Sequence, residues 1–417
     1  MSITREIPPT AGWAIKTKDL LACLFNKHPE GLLEEDFKKF IGSPSALLTY
    51  SGTAAFYIIL KSISKLSPKK TVVIPAFICP LVPLAIERAG LKVKTCDINP
   101  YNFDYNPAEL GNICSQDKDI LAVLAVHLAG IPLEIEKIRN ATEGKNIFII
   151  EDCAQSLGAK YRGEQTGRFG DFAFFSLCRG KGLTIYEGGI ALGKESKDAR
   201  LLKETAEEIM HREPVSEFLK IAELFAYSIF YRPSLFWFAF RMPQAFWQLR
   251  NNPVRAMGEY FDTGFPVHRI SAFRAYFGHS AFPRLDEEIN RQIEKAEFYI
   301  KGLEDTPGIK PITGSSSKEA SYPYLTIIFD SPQKRNLALK EFSATGLGVS
   351  QVYLKAIQDY AYLKGVIPEN ECPGARLIAE RTITLSTSCF LKEKDLLEIT
   401  RRLKEIGTND NLFVERR

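Results

Sequence analysis

Between Thr53 and Ser176 the chain alternates helical segments with short, continuously apolar runs, and this alternation constrains the fold more than any other feature. A helix T-A-A-F-Y-I-I-L-K-S-I precedes the strand T-V-V-I-P, and a helix P-L-V-P-L-A-I-E-R-A-G precedes the short strand K-V-K-T-C-D. Then come a strand L-A-V-L-A-V-H, a helix L-E-I-E-K-I-R-N, and the strands I-F-I-I-E-D and F-A-F-F-S-L. A strand that is apolar on both faces must be covered on both, which helices do in parallel or mostly parallel sheets. The fold expected is therefore α/β. Ligands of such sheets sit beyond the carboxyl ends of the strands, where Asp152 and His127 both fall.

At 417 residues the chain exceeds the size at which one core stops growing. Three regions are expected. Residues 1–45 read as a lead-in with one helix, Thr17 to Phe25. Residues 46–284 read as the large domain, and 285–417 as a smaller C-terminal α+β domain. In the latter a helix from Arg284 leads to a strand Y-L-T-I-I-F, a helix K-R-N-L-A-L-K-E-F, strands V-S-Q-V-Y and R-T-I-T-L-S, and a closing helix. From Gly189 to about Asn252 the pattern reads as one long helical region, aromatic-rich between Phe218 and Trp247. Glu223, Arg232 and Pro233 break it, so it is not a clean apolar span of about 20 residues.

Lys+Arg 54 against Asp+Glu 50 leaves only +4, with no basic block, which argues against nucleic acid as the main ligand. The eight cysteines include no C-x-x-C pair and read as reduced thiols, so no metal site is expected. The N-terminus lacks a signal peptide's apolar core, and the expected location is cytoplasmic.

Two stretches carry the chemistry. The strand I-I-E-D delivers Asp152, with Gln155 three residues on, and F-F-S-L-C-R-G-K-G-L delivers Lys181 inside a glycine-flanked turn. A lysine amine that can hold an aldehyde as a Schiff base, paired with a carboxylate that can keep a ring nitrogen protonated, suits pyridoxal phosphate. Ser51-Gly52-Thr53 opens a helix, whose first N–H groups and dipole favour an anion such as a phosphate; an ordinary N-cap is the plainer reading. Ser176 could add a hydroxyl to that anion or be a satisfied strand-end residue. His127 is either a hydrogen-bonded structural histidine or a substrate contact. Cys153 and Cys178 flank the site without a neighbouring histidine base and read as buried thiols.

Together these segments resemble the DegT/StrS-type sugar aminotransferases, fold-type-I pyridoxal-phosphate enzymes. The matching segments are S-G-T-A-A (51–55), V-V-I-P-A-F (72–77), A-V-H-L-A-G-I-P (125–132), I-E-D-C-A-Q-S-L-G-A (150–159), G-R-F-G-D-F-A-F-F-S (167–176), G-K-G-L (180–183), E-G-G (187–189) and R-L-D-E-E-I (284–289). The resemblance implies that Lys181 holds the cofactor aldehyde, Asp152 pairs with the pyridine nitrogen, and Gln155 lies near the ring oxygen. It implies that Gly52, Thr53 and Ser176 hold the phosphate, and that Cys79 stands where an aromatic residue commonly stacks on the cofactor. Glu187, Arg269 and His127 are candidate substrate contacts. It further implies a homodimer with shared active sites that moves an amino group from glutamate or glutamine to a keto-sugar, commonly nucleotide-linked. Alternatives on the same scaffold are a sugar dehydratase, whose relatives replace the lysine with histidine, and a non-catalytic regulatory protein. Val267 stands where a partner-subunit asparagine commonly reaches the phosphate, and Arg269 or His268 could replace it. The stretch from Phe218 to Trp247 is longer than the connection usual in the family. Its readings are a core or dimer-contact helical pair, a peripheral membrane contact, and a pocket wall for a large apolar substrate.

Overall fold

The computed structural model describes residues 5–408. In chain order its strands are β1 (Leu47–Thr49), β2 (Thr71–Pro75), β3 (Lys92–Cys96), β4 (Ile120–Val126), β5 (Phe148–Asp152), β6 (Lys160–Tyr161) and β7 (Glu164–Gln165). They continue as β8 (Phe172–Ser176), β9 (Gly189–Gly193), β10 (Ile309–Pro311), β11 (Lys318–Glu319), β12 (Tyr324–Phe329) and β13 (Thr382–Ser386). Seven of these form the central sheet, in the order β1-β9-β8-β5-β4-β2-β3.

Strands β3, β2, β4, β5 and β8 are parallel neighbours, whereas β9 runs antiparallel to both β8 and β1. This is the mostly parallel α/β sheet that the apolar runs predict. Every residue of β2, β4 and β9 is buried, as cover on both faces requires. The helix Gly52–Ile63 begins where Ser51 Oγ accepts the N–H of Ala54 at 3.1 Å, and Pro107–Gln116 begins on an Asn106 cap with proline in its first turn.

Three segments depart from the sequence reading. Gly189–Gly193, expected to open a helical region, is β9; its five residues are too few for a stable helix and pair on both sides. The lead-in holds a second helix, Leu32–Ile41, anchored by Leu33, Phe37 and Ile41 at helical spacing. The expected strand V-S-Q-V-Y makes only an isolated bridge from Ser350 to Thr384, because Gln351, Val352 and Tyr353 turn into a cavity instead.

The remaining aromatic-rich region is helical as expected, in pieces: Ser196–Ile209, Pro214–Phe230, Pro233–Phe236, a wide turn Trp237–Arg241, and Met242–Leu249. Among the described residues no helix is long and apolar enough to cross a membrane. Toward the C-terminus β10-β12-β13 form an antiparallel sheet packed by Leu285–Leu303, Pro332–Phe342 and Pro373–Arg381. Strand β11 instead pairs with the β6–β7 hairpin, tying the late chain to the early one.

One close approach sets β9 against the start of the helix Gly52–Ile63. A Cβ at Gly189 would lie 2.3 Å from the carbonyl carbon and oxygen of Ser51 and 2.5 Å from the nitrogen of Gly52, so β9 can sit there only as glycine. Gly189→Ala should therefore cost about 1–3 kcal/mol of overpacking in urea unfolding. Gly111→Ala, in a helix with nothing within 4 Å of the new methyl, should be neutral or stabilise by about 0.4–1 kcal/mol. Equal stabilities for the two variants would contradict the packing account.

Candidate active site

The carboxyl ends of β4, β5 and β8 deliver His127, Asp152 and Ser176 to one cavity of about 340 Å³. Gly52 and Thr53 enter from the start of their helix, Cys79 from the turn after β2, Gln155 from the turn after β5, and Lys181 from the turn between β8 and β9. Eight of the ten candidate residues thus line one cavity. The other two do not. Glu187 pairs with Lys220 at 3.4 Å and with the phenol of Tyr50, and Arg269 lines a separate groove of about 410 Å³. His268, proposed as a stand-in at the Val267 position, is buried against Tyr50 of its own chain with ring centroids 4.1 Å apart.

Asp152 and its neighbour Glu151 point to opposite faces of β5, as strand alternation demands. Glu151 is fully buried and accepts from His127 Nε2 at 2.9 Å and from the backbone N–H groups of Gly167, Phe169 and Gly170 at 2.9, 2.6 and 2.7 Å. Burial alone would raise its pKa, but the His127 hydrogen bond and these backbone donors outweigh it and hold it below the usual value. Among the described residues the Asp152 carboxylate accepts only the N–H of Ala154, at 2.9 Å, and it opens into the cavity. Burial lifts it to about 6, against the opposing pull of Ala154, Lys181 and His127. One carboxylate is spent on structure and the other opens, with a single hydrogen bond among the described residues, into the cavity.

His127 belongs to the structural side of that division. Its Nδ1 accepts the N–H of Leu133 at 3.0 Å, which places the proton on Nε2, where it goes to Glu151. Both nitrogens are committed, so the substrate contact read from the sequence has no polar atom to offer.

Gln155 is likewise engaged. Its Oε1 accepts from the N–H of Ala129 at 2.9 Å and from the hydroxyl of Tyr324, while Nε2 donates to the Tyr353 hydroxyl at 3.0 Å. The amide thereby joins the central sheet to β12 and to the segment after residue 349. Burial pushes the Cys79 thiol up to about 12, so it remains protonated at neutral pH.

The lysine turn is fastened from two distant segments of the chain. Thr10 Oγ1 donates to the carbonyl of Gly180 at 2.6 Å, and the Gly180 N–H donates to the Tyr227 hydroxyl at 3.2 Å. At the other wall a Cβ on Gly52 would stand 3.0 Å from Ser176 Cβ, so the helix start and the end of β8 meet in contact. That brings first-turn N–H donors and the hydroxyls of Thr53 and Ser176 to one cradle.

These groups fit pyridoxal phosphate. The helix start with Thr53 and Ser176 would hold the phosphate, the open carboxylate of Asp152 would face the ring nitrogen, and Lys181 would meet the aldehyde. Glu151, Tyr353, Tyr324, Thr10 and Tyr227 were not read from the sequence. Glu151 carried a signal, since an acid inside a buried apolar strand must be paired; the others come from distant segments.

The model of the DegT/DnrJ/EryC1/StrS aminotransferase family matches residues 27–221 and 245–404. The UDP-4-amino-4,6-dideoxy-N-acetyl-beta-L-altrosamine transaminase of Campylobacter jejuni is 25% identical over 81% of this chain and 78% of its own. The GDP-4-keto-6-deoxy-D-mannose 3-dehydratase of Yersinia pseudotuberculosis is 29% identical over 38% of this chain and 41% of its own length. Among solved structures, Helicobacter pylori PseC, an aminotransferase involved in the biosynthesis of pseudoaminic acid, aligns with a TM-score of 0.76 at 16% identity over 97% of this chain and 99% of that one, a likeness of fold.

The raised pKa of Asp152 has a sign that can be tested in cofactor-free protein. A carboxyl whose folded value is raised contributes its stability below the ordinary aspartate value and loses it as pH climbs through about 6. Asp152→Asn should therefore be more stable than the parent at pH 8, by up to about 3 kcal/mol, and equal to it near pH 4. Urea unfolding across that range checks this; an equally large gap at both pH values would contradict it.

Proposed function

From its membership of the DegT/DnrJ/EryC1/StrS aminotransferase family, to which this chain belongs, we propose that this pyridoxal-phosphate aminotransferase moves an amino group from glutamate or glutamine to a keto-sugar, nucleotide-linked, in surface-glycan or secondary-metabolite biosynthesis. The observation that carries the reading is the pairing of Lys181, on a braced turn, with the under-satisfied carboxylate of Asp152 in one cavity. When bound, the cofactor supplies an electron sink for the bonds broken at the amino-bearing carbon.

The residues divide the remaining work. Gly52, Thr53 and Ser176 would anchor the phosphate and so orient the ring. Asp152, lifted by burial, gains most by meeting a protonated ring nitrogen, because that cation relieves the cost of its own ionisation. Lys181 Nζ would hold the cofactor aldehyde and would take and return the proton at the reacting carbon. The fastening of its turn by Thr10 and Tyr227 limits how far that amine can stray.

The protein works as a cytoplasmic homodimer in this reading. In the same reading Arg269, exposed and outside its own chain's cavity, serves an anionic part of substrate or cofactor in the partner subunit's site.

Incubation with nitrogen-labelled glutamate and a panel of nucleotide-linked keto-sugars tests the reaction by mass spectrometry. The parent should transfer label to one sugar, and Lys181→Ala, folded by circular dichroism, should lose at least about 10²–10⁴-fold in rate. Full turnover in the variant would overturn the assignment of Lys181. A sugar product that loses a hydroxyl without gaining label would replace the transaminase reading with a dehydratase.

A further inference from the structure

Twelve of the sixteen large apolar side chains left exposed among the described residues lie in two short stretches, 21–25 and 215–249. The helix Pro214–Phe230 is apolar on both sides: Leu224 is fully buried, with Ile221, Phe225 and Tyr227 packed around it, yet a second apolar face points outward. Its inward face also carries Glu217, ion-paired with the fully buried Arg274, and Ser228, whose hydroxyl lies 3.3 Å from that of Thr17. Its outward face carries Val215, Phe218, Leu219, Ala222, Ala226 and Ile229, all exposed and spaced by three or four residues. No charge interrupts that stripe. Phe218 is 70% exposed, where an amphipathic helix of a monomer would have a polar residue.

Beyond the Arg232–Pro233 turn the pattern repeats. Phe238, Met242, Phe246 and Leu249 are exposed at helical spacing, with Leu249 at 86%. Beside the first stripe, the helix Thr17–Leu24 adds exposed Leu21 and Leu24, followed by Phe25 at 88%. Exposed apolar surface on this scale marks an interaction face.

Charge selects the occupant. From Leu224 to Gly258 the chain has arginines at 232, 241, 250 and 255 and not one aspartate or glutamate, although its overall balance is 54 to 50. Arg232, Arg250 and Arg255 are exposed. The Arg250 guanidinium lies 4.3 Å from the Phe246 ring and that of Arg255 5.1 Å from the Trp247 ring, so cations and apolar rings share one rim. A second copy of the same face would set arginines against arginines. An anionic lipid headgroup layer accepts both components, apolar chains into its boundary and guanidinium groups onto its phosphates.

We propose that the helical region 215–255, with the helix beside it, docks the enzyme on the surface of an anionic bilayer without crossing it. This rests on exposure and charge and is independent of which sugar the active site takes.

The test is co-sedimentation of the full chain, loaded with pyridoxal phosphate, with vesicles of phosphatidylcholine alone or mixed with phosphatidylglycerol. Pelleting with the mixed vesicles is expected, weaker by about tenfold with phosphatidylcholine alone or at high salt. Phe218→Glu with Leu219→Glu, and Phe246→Glu with Leu249→Glu, should each weaken pelleting by about tenfold or more. Their circular dichroism should be unchanged, because the side chains are exposed. Arg250→Glu with Arg255→Glu should remove the preference for the anionic lipid. Failure to pellet with either vesicle overturns the proposal. So does an assembly larger than a dimer, seen by light scattering, that splits on Phe246→Glu with Leu249→Glu, since the face would then be covered by another copy.

Discussion

Two consecutive buried carboxylates at the end of β5 receive unequal satisfaction, and the site depends on that inequality. Glu151 takes four N–H donors and is pulled below its usual pKa; Asp152 takes one and is lifted to about 6. The four donors do structural work, fixing the His127 ring and the 167–170 turn that leads into β8. Because β5 alternates faces, the same backbone that drives Glu151 into this network turns Asp152 toward the cavity. An open, costly carboxylate is what a binding site for a protonated ring would need, and in the proposed function its cost to the cofactor-free protein is the counterpart of that role.

Around this centre the chain is gathered from far apart in sequence. Gln155 links the N–H of Ala129 to the phenols of Tyr324 and Tyr353, and β11 pairs with β6. The lysine turn is held on one side by Thr10 and on the other by Tyr227. The helix Pro214–Phe230 therefore has two faces with different tasks, since Tyr227 braces the turn that carries Lys181 while Phe218 and Leu219 face outward. Gly189 permits the close approach at the start of β9, where any side chain would collide with the Ser51–Gly52 backbone.

Much of this was legible in the residues, for identifiable reasons. Continuous apolar runs such as L-A-V-L-A-V can only be two-face-covered strands, and β4 is buried throughout. Asp152, Gln155, Ser176, Lys181, Gly52, Thr53, Cys79 and His127 converge because strand ends and the turns after them share one edge of such a sheet. Local pattern failed where partners are remote. The run G-I-A-L-G at 189–193 becomes a strand only because β1 and β8 flank it, and V-S-Q-V-Y turns aside because its side chains have a cavity to line. Glu187 sits within a glycine motif beside the site, yet its carboxylate is drawn away by Lys220 and Tyr50, which no spacing rule could announce.

The central claim is that Lys181 and Asp152 together form a cofactor site competent for amino transfer. It is tested most directly by the absorbance spectrum of the purified protein with pyridoxal phosphate, before and after glutamate, beside Lys181→Ala. The account predicts a visible band in the parent that glutamate bleaches, and no such resting band in the variant. A parent that binds no cofactor, or a band unchanged by glutamate and retained without Lys181, would contradict it.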